Sequence, residues 1–189
     1  MGARSADNET ARQWTESGHE NARQGTFADA AALGELVVNC TAGAASLAAL
    51  EAAGEENLSG KVLLDVANPL DFSRGMPPRL SVANTDSLGE QIQRRFPEAR
   101  VVKALNTINH QVMVEPHRVP GDHDVFVCGN DEAAKSEVRE LLESFGWPRD
   151  TIHDLGDLTA ARATEGYLPL WLRLMGRLGT ADFNIRVVR

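Results

Sequence analysis

The sequence predicts an α/β fold built on a mainly parallel sheet, and two observations carry that expectation. Short apolar runs of strand length alternate with helical stretches across short connections, the pattern of a sheet with helices on its faces. Three consecutive runs also close in one style, on small or amide-bearing residues: Thr41-Ala42-Gly43, Ala67-Asn68-Pro69 and Ala104-Leu105-Asn106-Thr107. In such a sheet, ligands bind off the carboxyl ends of the strands.

In chain order, residues 1–5 read as a polar turn of the kind that passes from a strand to a helix, with no strand before it. Asp7 or Asn8 caps a short polar helix that runs through Ser17 and stops at Gly18. Residues 24–27 read as a very short strand and 28–33 as one or two helical turns. Leu36, Val37, Val38 and Cys40 make a buried strand that closes at Thr41-Ala42-Gly43, and an Ala- and Leu-rich helix follows to Ala53 and Gly54.

Residues 61–69 carry Val62, Leu63, Leu64 and Val66 between a glycine and a proline, as a buried strand does. The Pro69 ring keeps Asn68 extended just past it. Residues 70–85 then read as a long loop, a length usually reserved for function or mobility. A helix over 86–95, a strand over 101–105 and a short helix over 108–114 come next. A further strand spans 124–128.

Residues 131–145 place Ala134, Val138, Leu141, Leu142 and Phe145 on one stripe, the signature of an amphipathic helix. A fifth strand spans 151–155. Residues 159–178 form a helix apolar on most sides and kinked at Pro169, hence buried or at a subunit interface. Phe183, Ile185 and Val187 alternate with Asn184 and Arg186 in a last strand.

A chain of 189 residues is long enough to bury a core without disulfides or metal. The net charge of −8 argues against a nucleic-acid or anionic-membrane partner, which would call for a basic face. Cys40 and Cys128, each at the end of an apolar run, read as core thiols of a reducing compartment. No His, Cys or carboxylate group has metal-ligand spacing, and no apolar run is long enough to cross a membrane. A cytoplasmic protein without membrane anchor is expected.

Small and amide-bearing residues at strand ends let a flat ring approach the backbone and offer hydrogen bonds without charge, as a nicotinamide needs. The same residues also make ordinary turns. A resemblance goes further. Met1-Gly-Ala-Arg-Ser5, Gly25-Thr-Phe-Ala-Asp-Ala-Ala31, residues 60–69, Val101-Val-Lys-Ala-Leu-Asn-Thr107, Asp124-Val-Phe-Val-Cys-Gly129 and residues 166–179 together resemble the NADPH-dependent coenzyme F420 reductase family.

That resemblance implies a Rossmann-like domain over 1–189, with the Rossmann-like part at 1–155 and a C-terminal helix and strand at 156–189. It implies NADP as cofactor and hydride transfer to a small-molecule acceptor, coenzyme F420 or a similar deazaflavin. Residue by residue, Arg4 and Ser5 match the turn that holds the 2′-phosphate of NADP, a role a guanidinium fills through paired hydrogen bonds. Thr41, Ala42, Asn68, Pro69, Ala104 and Asn106 match the edges that line the nicotinamide and acceptor. No catalytic residue is assigned, because ring contact and electrostatics suffice for hydride transfer. His110 is a candidate donor to the acceptor ring, and Arg173 with Arg177 a candidate site for its acidic tail; a structural His and a solvated helix face are the alternatives.

The family's Gly-x-Gly-x-x-Gly turn, which cradles pyrophosphate at a helix N-terminus, does not occur in these residues. The resemblance therefore implies an N-terminally incomplete domain whose first βα unit is absent, with cofactor binding impaired and residues 36–41 left as an apolar edge strand. An imine or pyrroline-carboxylate type reductase is a second reading, although few residues follow the last Rossmann-like strand. A third is a non-catalytic protein that self-associates through residues 159–178 or binds a partner along the open edge.

Overall fold

The computed structural model describes residues 1–18 and 20–189. The turn expected over residues 1–5 begins only at Arg4, after a short strand β1 (Gly2–Ala3) that pairs in parallel with β2 (Gly25–Thr26), to which α1 (Glu9–Ser17) connects it. The Asn8 side chain caps α1 by accepting from the Ala11 amide at 3.0 Å. Helix α2 (Phe27–Leu33) opens on a reciprocal pair, in which Thr26 and Asp29 each accept from the other's backbone amide.

The main sheet starts at β3 (Leu36–Asn39), and α3 (Gly43–Ala53) and α4 (Glu55–Leu58) lead to β4 (Val62–Asp65). Residues 70–85, expected as a loop, fold into a small antiparallel hairpin of β5 (Leu70–Asp71) and β6 (Arg79–Leu80). Two-residue strands bounded by Gly and Pro give too little periodicity to be read from sequence. Helix α5 (Leu88–Arg95), capped by Ser87, returns the chain to β7 (Arg100–Ala104).

After β7 come α6 (His110–Val114), a 3₁₀ turn, β8 (Val125–Gly129), α7 (Glu132–Ser144) and β9 (Ile152–Asp154). The five strands lie in the order β3-β4-β7-β8-β9. All neighbours are parallel except β7 and β8, between which only the short α6 and a 3₁₀ turn intervene, with no long crossover helix.

Both faces of the sheet are covered, so its central strands read as continuous apolar runs while their side chains alternate between two cores. Leu63 and Val101 point into the core under α3 and α5; Val62, Leu64 and Val102 point into the one under α6 and α7. On the second face Trp147 is 2% exposed and donates its indole proton to the Met113 carbonyl at 2.9 Å. Among the described residues no helix is long and apolar enough to cross a membrane.

Several expectations are corrected. The apolar stretch at 159–178 is two helices, α8 (Ala161–Gly166) and α9 (Leu168–Leu178), with Pro169 in the first turn of the second, where its missing N–H costs nothing. Helix α9 is not buried: Leu168 alone of its residues is, and Leu170 and Leu178 are exposed. The strand expected over 183–187 does not form. That tail folds back with Phe183 stacked on Trp171 at 5.3 Å and Asn184 donating to the Asp124 carbonyl, while its backbone meets Asp124 twice, the Ile185 carbonyl accepting from the Asp124 amide and the Val187 amide donating to the Asp124 carboxylate. Cys128 is buried, but Cys40 is exposed, because it lies just past an edge strand.

Strand β3 is one edge of the main sheet, and Val38 on it is 45% exposed. Between it and β1 lies a cavity of about 660 Å³. The core on the α7 face is tight: Val138, Leu142 and Ala134 are fully buried. Replacing Leu142 with Ala is therefore expected to cost about 2–5 kcal/mol. A thermal melt that leaves the midpoint unchanged would contradict this packing.

Candidate active site

Three strands end side by side, and what they carry there is not apolar. Asn39, Asp65 and Lys103 are direct cross-strand neighbours on β3, β4 and β7, and Cys128 of β8 stands next to Lys103. All four are buried. The Lys103 ammonium lies 2.7 Å from Asp65 Oδ2 and 2.8 Å from Glu165 Oε1, the latter reaching in from α8, and its third donor bond goes to the Ala67 carbonyl. Glu165 also accepts from the first amides of α5, Leu88 N–H at 2.8 Å and Gly89 N–H at 3.1 Å, where a helix N-terminus favours negative charge. Burial alone would lower the Lys103 pKa, but Asp65 and Glu165 outweigh it and hold the ammonium above its ordinary value of 10.5. The Cys128 thiol, by contrast, is pushed up to about 12 by burial and is inert.

This polar row reaches the ends of the strands. Asp65 Oδ1 accepts from Asn39 Nδ2 at 2.8 Å and from the Ala67 amide at 3.2 Å, and Asn39 Oδ1 accepts from the Thr41 hydroxyl at 2.7 Å. On the next edge, Asn68 and Asn106 clasp each other: Asn68 Nδ2 donates to the Asn106 carbonyl at 2.7 Å, and Asn106 Nδ2 to Asn68 Oδ1 at 2.9 Å. Leu105, just before Asn106, sits at φ 66°, a left-handed conformation that costs a non-glycine residue about 1–3 kcal/mol.

Helix α3 starts in the angle between these edges. Its first turn has no side-chain cap at Ala42, and Gly43 packs so closely on the second edge that an added Cβ would stand 2.0 Å from the Asn68 carbonyl oxygen. In front of it opens a cavity of about 640 Å³, lined by Thr41, Ala42, Gly43, Ala67 and Asn68, with the hairpin residues Leu70, Asp71, Phe72 and Ser81 as one wall and His110 and Met113 of α6 as another. Cys40 and Thr41 line this cavity and also the neighbouring one beside β1, which Arg4 and Ser5 line.

Of the residues singled out from sequence, Thr41, Ala42 and Asn68 thus meet in one cavity, and Arg4 and Ser5 join Thr41 in the next. Pro69, Ala104 and Asn106 are buried behind the surface. Pro69 accepts from the Ser81 amide at 2.8 Å and so holds the hairpin wall, and Asn106 orients Asn68. His110 is exposed on the cavity wall, while Arg173 and Arg177 are exposed on α9 and line neither cavity.

Sequence reasoning missed Gly43, the hairpin wall, and the buried row of Asp65, Lys103 and Glu165. The row had a signal, a charged residue inside each of two otherwise apolar strand runs. The cavity's lining holds one acid, Asp71, whose pKa is lowered chiefly by the Ser73 amide. Among the described residues no cluster could hold a metal ion. Asp71 apart, the site offers neutral hydrogen-bonding groups and apolar surface, suited to an uncharged ring.

No protein-family model matches the chain. It is 31% identical over 160 residues to the F420-dependent NADP reductase of Methanocaldococcus jannaschii, covering 84% of this chain and 70% of that protein. A crystal structure from Arthrobacter sp. FB24, provisionally described as an F420-dependent NADP-reductase, is 56% identical with a TM-score of 0.92, covering 100% of this chain and 87% of that one. The reductive aminase of Aspergillus terreus in complex with NADPH and ethyl levulinate is 18% identical with a TM-score of 0.60, covering 91% of this chain and 52% of that one, a likeness of fold alone.

Two outcomes are expected from this geometry. Gly43→Ala forces α3 and the Asn68 edge apart, so its thermal midpoint falls and the amide shifts of Asn68 move; an unchanged spectrum would refute the close contact. Lys103→Met leaves two buried carboxylates unpaired, at a cost of about 3–5 kcal/mol. Because the native Lys103 pKa is raised, its contribution is fully present below the ordinary value of 10.5 and is lost as pH rises through the higher native value. The gap in melting temperature between wild type and Lys103→Met is therefore constant from neutral pH up to about 10.5 and narrows from there toward the higher native value. A gap that closes on acidification alone would contradict the assignment.

Proposed function

We infer that this chain, which belongs to the family of the F420-dependent NADP reductases, uses the two adjoining cavities at the ends of β3 and β4 for hydride transfer between NADPH and a deazaflavin-type acceptor. The observation that carries this reading is their shared wall at Cys40 and Thr41, with Arg4 and Ser5 on one side and Ala42 and Asn68 on the other. A dinucleotide laid across Thr41 would have its 2′-phosphate near an exposed guanidinium and its nicotinamide against neutral strand ends.

NADPH supplies the hydride chemistry, and the residues supply position. Arg4 suits a phosphate because its planar guanidinium pairs with two oxygens at once. Asn68 cannot swing, since Asn106 holds both ends of its amide, so it offers a fixed edge. The hairpin and α6 close the outer side, where Phe72 and Met113 provide apolar surface for an acceptor ring. Fixed contact between donor and acceptor rings accounts for much of such a rate enhancement. A proton taken up by the acceptor with the hydride comes from solvent or from His110 at the cavity wall.

The pyrophosphate is the part without a matching partner. These 189 residues contain no Gly-x-Gly-x-x-Gly turn, and what stands beside Thr41 is the first turn of α3, which has no side-chain cap. NADPH is therefore expected to bind this chain loosely.

Titration with NADPH and NADH, followed by nicotinamide fluorescence, tests the assignment. NADPH is expected to bind more weakly than micromolar yet about tenfold tighter than NADH, a difference of about 1.4 kcal/mol that Arg4→Ala removes. Micromolar binding that Arg4→Ala leaves untouched would contradict both the phosphate role and the importance of the glycine turn.

A further inference from the structure

The buried row beneath the site does more than hold strands together, because its polarity runs in one direction. Both Asp65 oxygens are acceptors: Oδ2 accepts a hydrogen bond from the Lys103 ammonium, and Oδ1 accepts one from the Ala67 amide. The group that Asn39 presents to Asp65 at 2.8 Å must then be its NH₂, which turns the Asn39 carbonyl oxygen toward Thr41. That oxygen can only accept, so the Thr41 hydroxyl proton is committed to it at 2.7 Å. Ser46 Oγ, 3.0 Å away, then donates to Thr41, and the one remaining lone pair of Thr41, a residue that lines the cavity, comes with no proton to offer.

We propose that the row Lys103, Asp65 and Asn39 is a positioning device that fixes Thr41 as a hydrogen-bond acceptor in the cavity, and that this selects a ligand presenting an N–H donor there, such as a primary carboxamide. The proposal rests on the reading of the cavity as the nicotinamide site and adds to it which group of the ring is recognised. Alone, a threonine hydroxyl rotates and donates or accepts alike, so it selects nothing. Anchoring its proton through a chain that ends on a buried ammonium removes that freedom.

A core built for stability alone has no use for the chain. Replacing a buried ion pair with apolar side chains of similar volume is often neutral or stabilising. Here all three ammonium protons are used, on Asp65, Glu165 and the Ala67 carbonyl. The last of these is the residue before Asn68, so the same ammonium fixes the height of both walls of the cavity.

The test compares the intact chain with Thr41→Ser, Thr41→Val and Asn39→Leu, each checked for an unchanged fold by its amide spectrum. Each is titrated with NADPH and with its 3-acetylpyridine analogue, which keeps the ring carbonyl but lacks the NH₂. Amide shifts of residues 41–44 and 68 report binding even when it is weak. Wild type and Thr41→Ser are expected to favour NADPH about tenfold, the size of a single hydrogen bond of about 1.4 kcal/mol. Thr41→Val and Asn39→Leu are expected to lose the preference, Asn39→Leu doing so with the Thr41 hydroxyl still present. A folded Asn39→Leu that keeps the wild-type preference overturns the proposal.

A second measurement needs no ligand. The Asn39 side-chain NH₂ protons should exchange slowly with solvent and speed up in Asp65→Asn; free exchange in wild type overturns the fixed orientation. Slow exchange together with no response of residues 41–44 and 68 to either dinucleotide overturns the reading of the cavity, and the recognition claim with it.

Discussion

The interaction on which the site depends is the buried contact of Lys103 with Asp65, Glu165 and the Ala67 carbonyl. Strands β3, β4 and β7 run in parallel and end together, so residues in register form a row across them. In this row the sequence has Asn39, Asp65 and Lys103 directly after Val or Leu residues of the same strands. Each charge in it would be costly alone in a dry core. Together they use one another's hydrogen-bonding capacity, and the helix N-terminus of α5 takes up the second carboxylate through Leu88 and Gly89. The price is a set of partners that all have to be present, and the gain is three strand ends held at fixed relative height.

Function follows from that arrangement at one remove. Thr41 and Asn68 make the floor of the cavity, and neither is free: Thr41 is tied to Asn39, and Asn68 to Asn106. Gly43 lets α3 approach within contact of the Asn68 carbonyl, so helix and strand edge meet without a gap. The strained φ at Leu105 lies at the same edge, where local strain is tolerated because the surrounding bonds determine the backbone. The site is polar and uncharged at its floor because the charges that organise it are one layer below.

Much of this was legible in the sequence. The three strand ends, the stripe of α7 and a cap of α1 at Asp7 or Asn8, which falls on Asn8, follow from local rules, since each depends on neighbours a few residues away. The strands of the main sheet were likewise readable, because burial on both faces demands unbroken apolar runs. What could not be read depends on distant partners. The antiparallel direction of β8 is set by the path of residues 105–124, and the β5-β6 hairpin by Pro69 and Ser81 meeting. The alternation of Phe183, Ile185 and Val187 suggested a strand, but the tail pairs with neither edge of the sheet and instead docks through Asn184 and Phe183. Glu165 was invisible because its partner Lys103 lies far away in sequence, although a lysine inside Val-Val-Lys-Ala-Leu was a warning that one existed.

The account's central claim is that the ends of β3 and β4 hold the nicotinamide while the β1 turn holds the phosphate. A crystal structure of this chain grown in saturating NADPH tests it most directly. The account predicts the nicotinamide ring between Thr41, Ala42 and Asn68, with its carboxamide nitrogen on the Thr41 oxygen and the 2′-phosphate beside Arg4. A dinucleotide found elsewhere on the molecule, or a carboxamide turned away from Thr41 with Arg4 unengaged, would contradict it.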